Sequence, residues 1–142
     1  MESNYETIRK AENKDFDTLY ALGEATPEFS VSSTGEFMEL AEFMSALGDK
    51  DSVIYIAESR GKLAGFIYGK VEENPGNKKW GCIVYIVVVP EFRKKGIAQM
   101  LYDACVKELK VRGMTYLYSW ANNEGDGSII QFYKKQGFAE GH

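Results

Sequence analysis

Histidine, cysteine and proline are scarce in this chain: one His, at the last of 142 positions, two Cys and three Pro. With a lone terminal histidine and no Cys-x-x-Cys pair, no cluster has the spacing of zinc ligands, and no metal is expected. Cys82 lies in an apolar strand-like run and Cys105 on the apolar stripe of a helix. Both are therefore expected as small core residues in a reducing compartment, not as a disulfide. No apolar run nears the roughly 20 residues that cross a bilayer. The opening residues, Met1 through Glu6, have neither a basic region nor an apolar core for export, so a cytoplasmic location away from membranes is expected. Positive charge is short as well. The 17 Lys and Arg stand against 21 Asp and Glu for a net charge of -4, which argues against a nucleic-acid partner. The Walker pattern G-x-x-x-x-G-K-S/T and the dinucleotide pattern G-x-G-x-x-G are both missing, which excludes two common nucleotide folds.

What is present suits one compact domain over residues 1–142, with 44% hydrophobic and 13% aromatic content. Residues 7–9 read as a first strand. Asp15 is placed to cap a helix carrying Phe16, Leu19, Tyr20 and Leu22 that ends near Gly23. A second helix is expected over 35–47, with Phe37, Leu40, Ala41, Met44 and Leu47 on one face. Residues 53–58 and 63–71 flank a tight turn at 59–62 as an antiparallel hairpin, and a turn at 74–77 extends it into a meander whose last strand stops at Pro90. A long helix from Gly96 to a stop at Gly113, a fifth strand over 115–121, a short helix over 128–136 and an extended segment from Phe138 complete the chain. The order is β-α-α-β-β-β-α-β-α-β, an α/β (α+β) fold with a mixed, mostly antiparallel sheet flanked by helices.

The most telling stretch joins the last meander strand to the long helix. Ile86, Val87, Val88 and Val89 have the character of a buried strand; Arg93, Lys94 and Lys95 then place positive charge beside Gly96, where the helix opens. A helix start leaves N–H groups unpaired and carries the positive end of the macrodipole, so the amides from Lys95 through Ile97 and Ala98 to Gln99 converge on an anion. Gly96 lets that anion come close, and the charge suits a ligand with several phosphates, a diphosphate above all. A merely solvated basic turn is the competing reading of the tripeptide taken alone.

Arg93-Lys94-Lys95-Gly96-Ile97-Ala98 matches the signature Arg/Gln-x-x-Gly-x-Gly/Ala, and with it the chain resembles the GNAT superfamily of acetyl-CoA-dependent N-acetyltransferases. The resemblance spans nearly the whole sequence. Ile8-Arg9 with Asp15 is similar to the family's opening, residues 56–66 to its second and third strands, and Phe132-Tyr133-Lys134-Lys135-Gln136-Gly137-Phe138 to its late tyrosine-bearing helix and following strand. The resemblance implies a sheet splayed between its fourth and fifth strands, with acetyl-CoA as co-substrate. The pyrophosphate would sit on the amides of Lys94 to Gln99 and the pantetheine arm along Ile86, Val87 and Val88. A backbone N–H near Val87 or Val88 would polarise the thioester carbonyl. Tyr133 would donate a proton or hydrogen bond to the departing sulfur, against the alternative of a core tyrosine beside Ile129, Ile130 and Phe132. Asn123, with Asn122, falls where the family keeps a pantetheine-contacting asparagine; an ordinary polar turn explains them equally.

The general base is unassigned. The position where some relatives carry a fifth-strand glutamate corresponds to Tyr118, leaving Glu28, Glu124, Asp126, Tyr85 or a water chain as proton acceptors. Tyr116, Tyr118 and Trp120 share one strand face, as core packing or as a pocket wall. The chain stops at Ala139-Glu140-Gly141-His142, before the family's seventh strand; a truncated chain, a naturally short variant or a strand from a second subunit, as in a homodimer, would each account for it, and an exposed edge favours pairing. The expected activity is transfer of acetyl from acetyl-CoA to a primary amine by direct attack in a ternary complex. A small molecule or a peptide or protein N-terminus is the acceptor, and an α-amine is favoured because its pKa of roughly 7.7–8.0 needs less help from a base than lysine at roughly 10.4. The alternative is a non-catalytic acyl-CoA-binding or regulatory module of the same fold.

Overall fold

A computed structural model describes residues 6–25, 45, 49, 51–74, 76, 78–92, 96–119 and 128–138. The elements are β1 (Glu6–Lys10), α1 (Phe16–Ala25), β2 (Ser52–Ser59), β3 (Lys62–Asn74), β4 (Lys78–Val88), α2 (Ile97–Val111), β5 (Tyr116–Ser119) and α3 (Ser128–Lys135). Of the helix expected at 35–47 only Ser45 is described, and it is helical. The extended segment expected after Phe138 lies outside the described residues.

The five strands pair in chain order, with β1 to β4 antiparallel and β5 parallel to β4. Arg60 and Gly61 both take positive φ, at 54° and 80°, which is the twist a two-residue hairpin turn needs between β2 and β3. Asp15 does not cap α1 as expected. It is the third residue of a 3-10 turn, Asn13–Asp15, where its carboxylate accepts the Glu12 N–H at 2.8 Å in a capping box. The same carboxylate takes a two-pronged bond from Arg9 at 3.0 and 3.1 Å, which holds Asp15 below the usual carboxylate range. β1 and the start of α1 are thereby tied together.

Apolar residues fill both faces of the sheet. α2 presents Ile97, Leu101, Cys105 and Leu109 at four-residue spacing, all buried, against Val53, Ile67, Ile83, Ile86 and Val88. Each such side chain contributes about 1.5–3 kcal/mol on burial. α1 covers part of the opposite face, where Phe16 and Leu19 meet Ile54, Ile56, Phe66, Tyr68, Tyr85 and Val87. Close approach of α2 depends on strand glycines: a Cβ on Gly69 would stand 2.7 Å from Cys105 Sγ, and one on Gly81 would collide with Met114 Sδ. Both cysteines are buried free thiols, and burial pushes Cys82 up to about 11 and Cys105 up to about 12.

β4 carries one residue more than β3 opposite it. Tyr68 pairs with Tyr85 and Gly69 with Ile83, which leaves Val84 as a β-bulge. Ile83, Ile86 and Val88 therefore face α2, while Tyr85 and Val87 face α1.

Candidate active site

The bulge falls where the sheet opens. β5 pairs with β4 from Trp80↔Tyr116 to Ile83↔Ser119 and stops, while β4 runs on from Val84 to Val88. Among the described residues no strand lies beside that second half. On its other side Val89 N–H donates to the Ala64 carbonyl at 2.8 Å. Backbone groups alternate along a strand, so Val87 also faces β3, and Ile86 and Val88 turn their backbone toward the open edge. Of Val87 and Val88, the expected carbonyl-polarising pair, only Val88 presents its N–H on that side.

Tyr133 stands at the fork. It is buried on the α2 side of the sheet, with its ring 4.9 Å from Phe138 and 5.6 Å from Phe132. Its hydroxyl lies 3.2 Å from Ser119 Oγ, and Ser119 Oγ donates to the Ile83 carbonyl at 2.8 Å. A serine hydroxyl has one proton, which Ser119 shares between the Ile83 carbonyl and the Tyr133 hydroxyl. Burial holds Tyr133 far above its ordinary pKa, so the group keeps its proton throughout the neutral range. Such a phenol is present as a hydrogen-bond donor, not as a phenolate base.

At the far end of the same strand edge the chain turns through a 3-10 segment, Pro90–Phe92, and reaches α2. Gly96 is the N-cap residue, with φ 82° and ψ 8°, and its carbonyl accepts the Met100 N–H at 3.1 Å. That left-handed conformation is one only glycine adopts without strain. Among the described residues, a Cβ there would meet nothing within 4 Å. Ile97 is buried, Ala98 half-buried and Gln99 exposed. The Gln99 side chain is already engaged: it exchanges amide hydrogen bonds with Gln136 at 2.7 and 3.0 Å and donates to Asp103 at 2.9 Å. Its contribution at the helix start is its backbone N–H. This amide exchange also fastens the first turn of α2 to the residue that follows α3, the helix bearing Tyr133.

Arg93, Lys94, Lys95, Asn122 and Asn123 lie outside the described residues, as do Glu28, Glu124 and Asp126. Tyr85 is buried under α1. Sequence reading missed Ser119, Gln136 and Glu72. Ser119 had a signal in its place on the strand face opposite Tyr118; Glu72 becomes visible only through strand register, which sets β3 beside β4 and β5. Tyr118 donates to Glu72 Oε1 at 2.5 Å, and Lys70 Nζ lies 3.3 Å from Glu72 Oε2. Burial first, then this bond to Glu72, raises Tyr118 above its ordinary pKa.

A mixed sheet that parts between a bulged strand and its parallel neighbour, with a glycine-capped helix start at one end of the opening and a proton-bearing tyrosine at the other, is the frame of an acyl-transfer fold. The chain belongs to the acetyltransferase (GNAT) family, whose model matches residues 12–138. Acetyl-CoA is the co-substrate of that family. The chain is 32% identical over 94 residues to an uncharacterized N-acetyltransferase of Methanocaldococcus jannaschii, covering 65% of this chain and 41% of that protein. It is 29% identical over 108 residues to an N-alpha-acetyltransferase of Sulfurisphaera tokodaii, covering 69% of this chain and 63% of that one. The matches thus span less than two thirds of the length of either relative. Its fold is similar to that of an aminoglycoside acetyltransferase from an uncultured soil metagenomic sample, with a TM-score of 0.77 at 19% identity over 99% of this chain and 93% of the other. No described helix is long and apolar enough to cross a membrane.

Proposed function

We propose that the chain is an N-acetyltransferase that moves the acetyl group of acetyl-CoA to a primary amine by direct attack in a ternary complex. The observation that carries this reading is Tyr133 at the fork where β5 leaves β4, on the same strand edge that leads to the left-handed Gly96 at the start of α2. The absence of a side chain at Gly96 and the N–H groups of Ile97, Ala98 and Gln99 suit the pyrophosphate, with Arg93, Lys94 and Lys95 adding charge. Ile86 and Val88 offer backbone groups to the amide-bearing pantetheine arm, and Asn123 is a further contact for it. The amine nitrogen forms a bond to the acetyl carbon, the carbon–sulfur bond breaks, and Tyr133 gives its proton to the sulfur. An N–H on the open edge of β4 stabilises the charge that develops on the acetyl oxygen; Ile86, which stands nearer the Tyr133 end of that edge than Val88, is the better placed. An α-amino acceptor is favoured: it is the class named in the Sulfurisphaera tokodaii relative, and its lower pKa demands less of a base.

Titration with CoA and thiol-release assays with acetyl-CoA test this reading, with a free-N-terminus peptide, a lysine peptide and an aminoglycoside as acceptors. CoA binding with thiol release in the presence of the free-N-terminus peptide is the expected result. Binding without release from any acceptor would establish the non-catalytic module instead, and no binding at all would remove the acetyl-CoA site.

A further inference from the structure

The acetyl-transfer reading leaves the proton of the attacking nitrogen without a destination. Tyr133 is not available to take it, because its role spends its own proton on sulfur. The opposite face of the same fork carries a second tyrosine. Along β5, Ser119 and Leu117 point to the α2 side, so Tyr118, one residue from Ser119, points to the other. Its partner across the ladder is Cys82, the neighbour of Ile83 in β4. Tyr118 therefore flanks the last paired rung from the face opposite Tyr133.

The phenol is oriented. It donates to Glu72 Oε1 at 2.5 Å, while Glu72 Oε2 is 3.3 Å from the Lys70 ammonium, so both carboxylate oxygens have partners. Trp80 sets its edge against the Tyr118 ring at 6.0 Å and holds it from the side. The phenol oxygen also has a hydrogen bond with the Cys82 thiol, which leaves one lone pair for a nitrogen to donate to. Cys82 on this face is buried and pushed up to about 11, so it stays a neutral thiol near neutral pH; Tyr68, Tyr85 and Tyr116 share the face. Lys70 is cationic and accepts nothing. The Tyr118–Glu72 hydrogen bond is a path along which a proton can pass from a phenol to a carboxylate.

We infer that Tyr118 is the catalytic group on the acceptor side and that Glu72 is its positioning residue and proton sink. As the carbon–nitrogen bond forms, the nitrogen–hydrogen bond breaks and the proton goes to the Tyr118 oxygen; the proton Tyr118 already carries passes to Glu72. Tyr133 supplies the sulfur on the other face, so the charges balance: Glu72 ends protonated, Tyr133 ends as phenolate, and solvent returns both to their starting states. The inference assigns the base that sequence reading left open, and it places the acceptor amine on the sheet face bearing Lys70, Glu72 and Trp80.

The test compares the parent chain with Glu72→Gln, Tyr118→Phe and the double variant, using acetyl-CoA and a peptide with a free N-terminal Ala, Ser or Met, with an aminoglycoside as second acceptor. Each single variant is expected to lose about 100-fold in kcat with the KM for acetyl-CoA and the CoA affinity unchanged. The double variant is expected to be no slower than Tyr118→Phe alone, because the two groups act in series. Parental kcat in either single variant, multiplying losses in the double, or a rise in the KM for acetyl-CoA that matches the fall in kcat each overturns the relay. Absence of turnover in the parent chain itself overturns the transfer reading, and the relay with it.

Discussion

Tyr133 sits in surroundings that keep its proton on it, with its hydroxyl beside Ser119, the last residue of β5 before the strands part. Replacing it with phenylalanine removes one oxygen from a buried site and leaves the ring contacts with Phe132 and Phe138. Tyr133→Phe is expected to lower kcat about 10²-fold while CoA affinity stays at the parental value, read from initial rates and from titration with CoA. Parental kcat would remove the donor role. Gly96 makes the opposite demand, on backbone alone. A Gly96→Ala side chain meets none of the described residues but sits at φ 82°, so a loss of about 1–2 kcal/mol is expected in chemical denaturation. The methyl group would occupy the space a phosphate needs, so CoA affinity is expected to fall as well. Unchanged affinity by titration would place the phosphates elsewhere.

At the scale of elements, the sheet and α2 are fitted through residues that lack side chains. Gly65 is the tightest case with a rigid neighbour: a Cβ would stand 2.5 Å from the Val87 carbonyl oxygen, whereas the same change at Gly69 meets the movable thiol of Cys105. Gly65→Ala is expected to destabilise by about 1–3 kcal/mol and to exceed the cost of Gly69→Ala, measured by urea denaturation of both. Since Val87 lies between Ile86 and Val88, whose backbone faces the edge along which the donor is proposed to lie, Gly65→Ala is also expected to weaken CoA binding. Equal stability losses would show that β4 shifts without strain. Much of this level was legible beforehand. The meander followed from alternating apolar runs and the residues at 59–62, and α2 from apolar residues recurring every three or four positions. Asp15 was misread because a capping residue and the third residue of a capping box carry the same side chain a few positions apart; only the partner Arg9, a strand away, decides between them. The contacts Tyr118–Glu72 and Gln99–Gln136 were illegible for a related reason. Each joins elements distant in sequence, and register between strands or rotation between helices is fixed by the whole core, not by local pattern.

For the molecule as a whole, the buried acid–base groups set its response to alkali. Cys82 and Cys105 rise from 9.0 to about 11 and about 12 in the fold, and Tyr102, Tyr118 and Tyr133 are also raised, by burial before any other cause. A group whose folded pKa is raised stabilises the fold fully below its unfolded pKa and ceases to do so as pH climbs through the folded one. Thermal midpoints are therefore expected to hold up to about pH 9 and then to fall steeply toward pH 12. Cys105→Ala is expected to lower the midpoint at neutral pH, through lost packing, yet to flatten the alkaline decline. A decline of undiminished slope in that variant would show that the tyrosines alone set it.

Val84 has a consequence that is one of parity. Ahead of it, odd-numbered positions of β4, Gly81 and Ile83, look toward α2; behind it, even-numbered ones, Ile86 and Val88, do so. The change of phase coincides with the change of task. One half of β4 is clamped by strands on both edges, and the other half has a strand on one edge and an opening on the other. A single surplus residue thus divides one continuous strand into a part that holds the protein together and a part left to hold something else.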